Sequence, residues 1–224
     1  MRLRRKPWID EAILDYADFL SIGWPENCRG RWQDIFARGE RPLWVELGTG
    51  KGQFIAGLAA QHEDVNIIGI ELQRGVLYYA GQKVAAAELA NVRLIEGDIS
   101  ELLDVFAPGE VDRFYLNFCD PWPKARHAKR RLTHRGFLEK YAMLLAPQGE
   151  IHFKTDNHDL FYFSIEEFQA LGWTLRDVTD DLHQNEPAEN VRTEYEQKFS
   201  AKGQPIYRLV AVASERKGHD EEKA

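Results

Sequence analysis

The sequence has few cysteines, no long apolar run and no signal-like N-terminus. Cys28 and Cys119 are its two cysteines; they lie far apart and lack the spacing of a metal site. We therefore expect a reducing, cytoplasmic setting and no structural metal. No apolar stretch approaches the ~18 residues that a membrane-spanning helix needs. Acids from Asp10 onward interrupt the N-terminal pattern, so we also expect no signal peptide.

The composition is that of an ordinary globular protein. The chain has 224 residues, of which 44% are apolar and 29% are charged, which suits one α/β domain with a sizeable core. Its net charge is −7, yet residues 1–6 contain four lysines or arginines, residues 124–135 contain six, and neither stretch contains an acid. Because local fields steer ligands more than net charge does, this distribution permits a local RNA contact.

Strands and helices alternate from Leu43 onward. Apolar runs bounded by turn residues predict seven strands. They are Leu43–Leu47, Asn66–Glu71, Val92–Glu96, Val111–Phe118, Glu150–Lys154, Trp173–Val178 and Ile206–Ala213. The alternation predicts a doubly wound, Rossmann-like α/β fold with a mostly parallel sheet and helices on both faces.

The same pattern predicts three regions along the chain. Residues 1–42 should form an N-terminal arm and a helix that packs on the domain. Within them, residues 21–42 are expected to be a connection with one short helix near Trp32–Ala37. Residues 43–214 should form the main domain, and residues 215–224 a charged, disordered tail.

Four acidic residues fall at or just after the ends of successive predicted strands. They are Glu46, Glu71, Asp98 and Asp120. Ligands of doubly wound sheets bind at the carboxyl ends of the strands, so we expect these carboxylates to line one edge. Two alternatives stay open at this point. Asp98 can simply cap the helix that follows it, and Glu71 can be an exposed acid at a strand end.

A glycine-rich turn follows the first predicted strand, with Gly48, Gly50 and Gly52 in alternate positions. These glycines would let the backbone approach a ligand at a helix N-terminus, although glycines also simply make tight turns. The dinucleotide fingerprint needs a further glycine where this chain has Gln53. In addition, Glu46 beside the turn would repel the phosphates of NAD.

S-adenosyl-L-methionine fits this acidic edge better than NAD does. Its positive centre and amino group suit Glu46, and its carboxylate suits the helix N-terminus. Its ribose hydroxyls suit Glu71, which lies at about the ~20-residue offset expected from the glycines. Its adenine amino group suits Asp98.

The stretch after the fourth predicted strand combines a carboxylate, Asp120, with a stiff turn and positive charge. Pro121 and Pro123 flank Trp122 and prevent the strand from continuing. The basic run 124–135 follows. This combination indicates a reaction centre beside a polyanion-binding surface, with a rigid surface loop and a solvated helix start as the alternative. Trp122 can stack on a nucleobase or pack as a wedge between the prolines.

In these and further motifs the chain resembles the bacterial tRNA (guanine-N7-)-methyltransferase family. The motifs lie in order over roughly residues 5–212. They are Val45–Phe54, Ile68–Glu71, Tyr115–Phe118, Asp120–Lys124 with His127–Arg131, Phe153–Asn157 and Thr193–Phe199. The resemblance implies a class I methyltransferase fold of seven strands with the last antiparallel. It also implies methyl transfer from S-adenosyl-L-methionine to N7 of a guanine in the variable loop of tRNA, with S-adenosyl-L-homocysteine as the other product.

The resemblance also implies roles for particular residues. The cofactor site would be lined by the glycine turn and by Glu46, Glu71, Asp98 and Asp120. The guanosine would be contacted by Lys124, Asp156, Thr193, Glu194, Tyr195 and Glu196. The RNA would be contacted by Arg126, His127, Ala128, Lys129, Arg130 and Arg131. Thr193 and Glu196 also fit a capping box at a helix start, which is compatible with substrate contact.

Methylation at guanine N7 needs no general base, because N7 has a lone pair and no proton. We therefore expect Asp120 to be a catalytic residue that orients the reactants and favours the developing cation. Asp156 would accept hydrogen bonds from guanine N1–H or its amine. The sequence is compatible with a monomer and with a homodimer.

Three other function classes compete with this one. A small-molecule methyltransferase would have no use for the basic run 124–135. A dehydrogenase is disfavoured by Gln53 and the acidic edge. A non-catalytic RNA-binding protein is disfavoured by the acids that suit a cofactor.

Overall fold

The computed structural model describes residues 6–213, which form one sheet with helices on both faces. The strands are β1 (Leu20–Ile22), β2 (Leu43–Leu47), β3 (Asn66–Glu71), β4 (Val92–Glu96), β5 (Val111–Asn117), β6 (Leu145–Thr155), β7 (Thr174–Thr179) and β8 (Tyr207–Val212). The helices are α1 (Ile9–Ala12), α2 (Trp32–Phe36), α3 (Gln53–Gln61), α4 (Arg74–Ala86), α5 (Leu102–Val105), α6 (Arg135–Leu144), α7 (His158–Ala170) and α8 (Glu194–Ser200). The first five residues of the predicted arm and the predicted tail at 215–224 lie outside the described residues.

The strand order is β1-β4-β3-β2-β5-β6-β8-β7. Neighbours from β1 to β6 pair in parallel, whereas β8 pairs antiparallel with β6 and β7. The predicted mostly parallel sheet with an antiparallel last strand is therefore confirmed. The order reverses at β2, which lies between β3 and β5, so the carboxyl ends of β2 and β5 flank the crevice where such sheets bind ligands.

The strand β1 is absent from the sequence-based prediction and makes the sheet eight-stranded rather than seven-stranded. The predicted connection at 21–42 instead begins inside this strand, which pairs with Leu94, Ile95 and Glu96 of β4. A strand of three residues is too short to leave a clear alternating pattern in the sequence. The short helix predicted near Trp32–Ala37 corresponds to α2.

The strands on the two sides of the reversal differ in the side chains that they present. β2 and β3 are almost wholly buried. On β5, Phe114 and Leu116 belong to the core under α6 and α7, whereas Tyr115 belongs to the core under α3 and α4. Asn117 lies on the same face as Tyr115, and Lys154 of β6 lies beside it. Polar side chains therefore enter the region of the crevice from β5 and β6.

Among residues 6–213, no helix combines the length and the apolar character that a bilayer crossing requires.

Candidate cofactor and substrate site

Three of the four predicted carboxylates act on one another at the carboxyl edge of the sheet. Glu46 and Glu71 belong to the neighbouring strands β2 and β3, and Asp120 follows β5 on the other side of β2. Burial raises the pKa of Glu71, and the negative charge of Asp120 raises it further. Burial also raises the pKa of Glu46, with a smaller contribution from Glu71. Each of these acids therefore lies within the electric field of another.

Glu46 is the buried member of this group, with 2% of its surface exposed. Thr49 Oγ1 donates to it at 2.5 Å, and Asn117 Nδ2 donates to it at 3.1 Å. Burial outweighs these hydrogen bonds and raises the pKa of Glu46 to about 7. Asn117 Oδ1 is buried and has no hydrogen-bond partner among the described residues. A buried carboxylate beside an unused acceptor fits a ligand with a positively charged donor such as an amino group.

The predicted glycine turn has left-handed backbone conformations at all three glycines, with φ of 80° at Gly48, 59° at Gly50 and 80° at Gly52. A Cβ at Gly52 would lie 2.7 Å from Ala80 Cα, so this glycine is also required for α3 to pack on α4. A Cβ at Gly48 would meet nothing within 4 Å. The turn therefore combines a packing glycine with an open backbone surface, and the Gly50 N–H donates to Glu71 at 3.1 Å.

Asp98 is exposed, and the structure gives it the capping role that was the alternative prediction. Its Oδ1 accepts a hydrogen bond from the Ser100 N–H at 2.8 Å at the start of a short 3₁₀ helix. Asp98 also lines a cleft of about 340 Å³ together with Leu72 and Trp24. Leu72 is 65% exposed. The carboxylates of Glu96 and Glu101 also line the cleft, but they already accept hydrogen bonds from Arg74 and Trp24. The apolar side chains and the carboxylate of Asp98 suit adenine, which has apolar faces and an amino donor.

The turn that carries Asp120 is strained and held in place. Phe118 and Trp122 have positive φ values of 52° and 41°, a conformation that costs a non-glycine residue about 1–2 kcal/mol. Arg131 Nε donates to the Pro121 carbonyl, and its Nη2 donates to the Trp122 carbonyl, both at 3.1 Å. Asp120 itself is exposed on this turn, and its charge reaches Glu71, whose pKa burial and Asp120 both raise.

Trp122 packs on side chains that follow it in the chain. The guanidinium of Arg130 lies 4.8 Å from the centre of the Trp122 ring, and the His127 ring meets it edge-on with a centre distance of 5.8 Å. Stacking of Trp122 on a nucleobase and its packing as a wedge between the prolines both stay predictions. The contacts with Trp122 give Arg130 and His127 a role within the fold, and their predicted contact with RNA stays a prediction.

Three further basic side chains of this run point into solvent, whereas Arg135 at its end pairs with Glu167. Lys124, Arg126 and Lys129 are exposed, and their side chains make no hydrogen bond or ion pair with any residue from 6 to 213. Ala128 is half-buried between them. Unpaired cations on a rigid segment are suited to contact phosphate groups.

Asp156 and Tyr195 form a second wall of the crevice. The Tyr195 hydroxyl donates to Asp156 Oδ2 at 3.2 Å, and Gln204 Nε2 donates to the same oxygen at 3.0 Å. The ring centre of Tyr195 lies 4.9 Å from that of Phe118 and 4.2 Å from that of Phe199. Tyr195 nevertheless stays 42% exposed. An exposed ring beside a carboxylate suits a base that stacks and donates hydrogen bonds.

The predicted capping box at the start of α8 is confirmed. The Glu196 N–H donates to Thr193 Oγ1 at 2.9 Å, and the Thr193 N–H donates to Glu196 Oε2 at 3.4 Å. Glu196 is fully buried, and Lys154 Nζ donates to it at 2.7 Å. Glu194 forms an ion pair with Lys83. Direct contact of Thr193, Glu194 and Glu196 with guanosine stays a prediction.

Two polar residues of this region receive no role in the sequence analysis. Asn117 and Lys154 lie near the ends of β5 and β6, inside motifs that match the resembled family. Both are buried. A polar side chain at the end of an otherwise apolar strand was the available signal, because such groups are buried only when they have partners.

His183, Glu186 and Glu196 bring their possible metal-ligating atoms within 4.8 Å of one another. Lys154 already pairs with Glu196, and Arg192 already pairs with Glu186. These cations neutralise the two carboxylates, so the group is an internal ionic network in this conformation.

Comparisons with known proteins agree with this geometry. A family model described as "Putative methyltransferase" matches residues 40–209. A tRNA (guanine-N(7)-)-methyltransferase from Exiguobacterium sp. is 50% identical over 212 residues, covering 95% of this chain and 98% of the relative. The protein of the same name from Bacillus subtilis is 51% identical over 208 residues, covering 93% of this chain and 97% of the relative.

Solved structures show the same fold at much lower sequence identity. The 16S rRNA methyltransferase KamB superposes with a TM-score of 0.64 and 12% identity, covering 85% of this chain and 94% of that chain. An antibiotic-related methyltransferase superposes with a TM-score of 0.59 and 18% identity, covering 83% and 92%. At these identities the likeness establishes the fold alone.

Proposed function

Since the chain belongs to the tRNA (guanine-N(7)-)-methyltransferase family, we propose that it transfers a methyl group from S-adenosyl-L-methionine to N7 of a guanine in the variable loop of tRNA. The observation that carries the proposal is the position of Asp120 between two kinds of surface. On one side lie the carboxylates of Glu46 and Glu71, which suit a cationic methyl donor. On the other lie the unpaired cations of Lys124, Arg126 and Lys129, which suit an RNA backbone.

Each part of S-adenosyl-L-methionine has a candidate partner among the described residues. Glu71 would accept hydrogen bonds from the ribose, and the cleft at Asp98 would hold adenine. Glu46 and the unused acceptor of Asn117 would face the amino group. When bound, this cofactor supplies a methyl group on a sulfonium sulfur, which is electrophilic without further activation.

The protein would then have to orient a guanine and favour its positive charge. The N7 lone pair forms the new bond to the methyl carbon while the old bonding pair stays on sulfur, so no proton moves and no general base is needed. Asp120 would stabilise the charge that develops on the imidazole ring. Asp156 would accept from guanine N1–H or the amine, Tyr195 would stack on the base, and Lys124 would contact the nucleotide.

Labelled S-adenosyl-L-methionine and unmodified tRNA transcripts test the proposal. Transcripts with guanine in the variable loop should acquire label that mass spectrometry of the digested RNA identifies as 7-methylguanosine. Transcripts with adenine at that position should acquire none. Label that enters only free small molecules, or no label at all, would contradict the proposal. In the same assay, Asp120→Asn tests the assigned role of Asp120. The exposed Asp64, before the start of β3 at the other end of the strands, offers the matched control Asp64→Asn.

A further inference from the structure

A single buried lysine holds the segment that carries Tyr195 against the sheet. Lys154 lies on β6 and is 5% exposed. Its Nζ donates to Glu196 Oε2 at 2.7 Å, to the Val191 carbonyl at 2.8 Å and to Asn190 Oδ1 at 3.2 Å. A protonated lysine has three donors. All three therefore go to the connection between β7 and β8.

Two other polar attachments of this connection lie at the surface. Gln53 Nε2 donates to the Arg192 carbonyl at 3.2 Å, an exposed contact. Lys83 pairs with Glu194, and the two side chains are 37% and 40% exposed. Exposed pairs of this kind contribute little, because water and salt screen them.

Apolar packing anchors both ends of the connection, where Leu182 is 2% and Ile206 0% exposed, but is thinner over residues 187–191. Val191 packs closely on Gly57 of α3, where an added Cβ would come within 2.8 Å of it. Residues 187–191 otherwise border a cavity of about 320 Å³ that also reaches Lys154 and Tyr115. Over this thinly packed stretch, the contacts of Lys154 with Asn190, Val191 and Glu196 are a buried polar attachment to β6.

We call the contacts of Lys154 with Asn190, Val191 and Glu196 the anchor. Glu196 links the anchor to Tyr195 and Asp156, which form a wall of the crevice. Its Oε2 receives both Lys154 Nζ and the N–H of Thr193, and its Oε1 receives Asn190 Nδ2 at 3.0 Å. Tyr195, the residue before it, donates from its hydroxyl to Asp156, two positions beyond Lys154 on the sheet. Lys154 therefore contacts Glu196, Glu196 follows Tyr195 in α8, and Tyr195 contacts Asp156, two residues after Lys154. These contacts together fix the separation of Tyr195 and Asp156.

We infer that Lys154 is a positioning residue for the methyl acceptor: through Glu196 it fixes α8 so that Tyr195 and Asp156 hold the guanine together. The inference rests on the proposed function, because it concerns the same base site. The three donors of Lys154 are occupied by Asn190, Val191 and Glu196, so none is left for the base or the cofactor. Burial raises the pKa of Glu46 and the charge of Lys154 lowers it, so the loss of Lys154 should reduce the use of tRNA more than it reduces cofactor binding.

The double variant Lys154→Met/Glu196→Gln separates positioning from stability. Both charges disappear together, so no buried charge is left unpaired, and glutamine can keep the capping box. We expect a melting temperature near that of the parent, a kcat/KM for tRNA at least about tenfold lower, and a clearly smaller change in the affinity for S-adenosylhomocysteine. A variant that melts like the parent and keeps kcat/KM within about threefold would overturn the inference.

The milder variant Asn190→Ala decides the question if the double variant does not fold. It removes the hydrogen bonds of Asn190 to Lys154, Glu196 and Glu186 and leaves the Lys154–Glu196 pair in place. We expect kcat/KM for tRNA to fall by about fivefold, the value of one hydrogen bond. The exposed pair of Arg31 and Asp34, far from the crevice, offers the control: Arg31→Met should change kcat/KM by less than about twofold.

A double-mutant cycle with Tyr195→Phe supplies a readout that a purely structural role would not move. If the anchor acts by positioning Tyr195, the loss caused by Tyr195→Phe should be smaller in the Asn190→Ala background than in the parent. Additive losses would overturn the inference. A parent protein that methylates no tRNA would instead refute the proposed function before any variant is compared.

Discussion

Replacing Glu46 by glutamine should stabilise the protein at alkaline pH while it weakens cofactor binding. Glu46 is 2% exposed and accepts hydrogen bonds from Thr49 and Asn117. Glutamine has nearly the same shape. After a rotation of the Asn117 amide, it can keep one hydrogen bond to each of these partners. The substitution therefore removes a buried charge without leaving a cavity.

The magnitude follows from the pKa of Glu46, which burial raises from 4.5 to about 7. The folded state holds this proton more tightly than the unfolded chain does. Below about pH 4.5 the carboxyl group is protonated in both states, so it contributes nothing to the pH dependence. Between about pH 4.5 and 7 the unfolded chain releases the proton first, and the parent loses about 3 kcal/mol in its free energy of unfolding. Glutamine does not titrate, so the variant lacks this loss.

Urea denaturation of parent and variant between pH 5 and 8 measures the difference directly. The variant should be more stable by about 1 kcal/mol at pH 5 and by about 3 kcal/mol at pH 8. Calorimetric titration at pH 8 should show an affinity for S-adenosyl-L-methionine at least about tenfold lower. A stability difference that is the same at every pH would refute the raised pKa of the buried Glu46 carboxylate. Unchanged affinity would refute Glu46 as a cofactor ligand.

Three further predictions concern the turn, the basic run and the glycine loop. Asp120→Asn should lower the rate of methyl transfer at saturating substrates by at least about tenfold. A rate within a few-fold of the parent would show that Asp120 has no catalytic role. The double variant Arg126→Ala/Lys129→Ala should weaken tRNA binding and reduce the slope of log affinity against log salt concentration by about 2, with cofactor affinity unchanged. An unchanged slope would show that these two side chains contact no phosphate. Gly52→Ala should destabilise the protein by at least about 2 kcal/mol in urea, because its Cβ would lie 2.7 Å from Ala80 Cα. A neutral result would show that α4 moves aside.

The parts of the fold with strong local signals were predictable from the sequence. β2 and β3 match the predicted bounds, because a buried parallel strand reads as an apolar run between turn residues. β1 was not predictable, since its three residues are defined by pairing with β4 and carry no pattern of their own. β6 begins at Leu145 rather than at the predicted Glu150. Pro147 and Gly149 in its first half hid that extension, because both residues normally interrupt strands.

The site was predictable where chemistry follows chain position and not where it follows tertiary contact. Acids at successive strand ends must share one edge in a parallel sheet, which is why Glu46, Glu71 and Asp120 could be placed together. No local rule pairs Lys154 with Glu196, because the partners are separated by the whole of α7 and β7. The packing of Arg130 on Trp122 likewise depends on the path of the turn.

Glu46 and the Lys154–Glu196 pair place buried charge beside this crevice. An ionised Glu46 and the Lys154–Glu196 pair are each less favourable in the isolated fold than apolar or neutral groups of the same size would be. Both become useful when a ligand arrives: a positive group beside Glu46 lowers its pKa, and a base held against Tyr195 needs a fixed wall. Since the cost of ionising Glu46 falls as that positive group binds, cofactor binding and deprotonation of Glu46 must favour each other by the same free energy. The ligand therefore stabilises the fold most at the pH values where the fold alone is weakened by its own carboxylate.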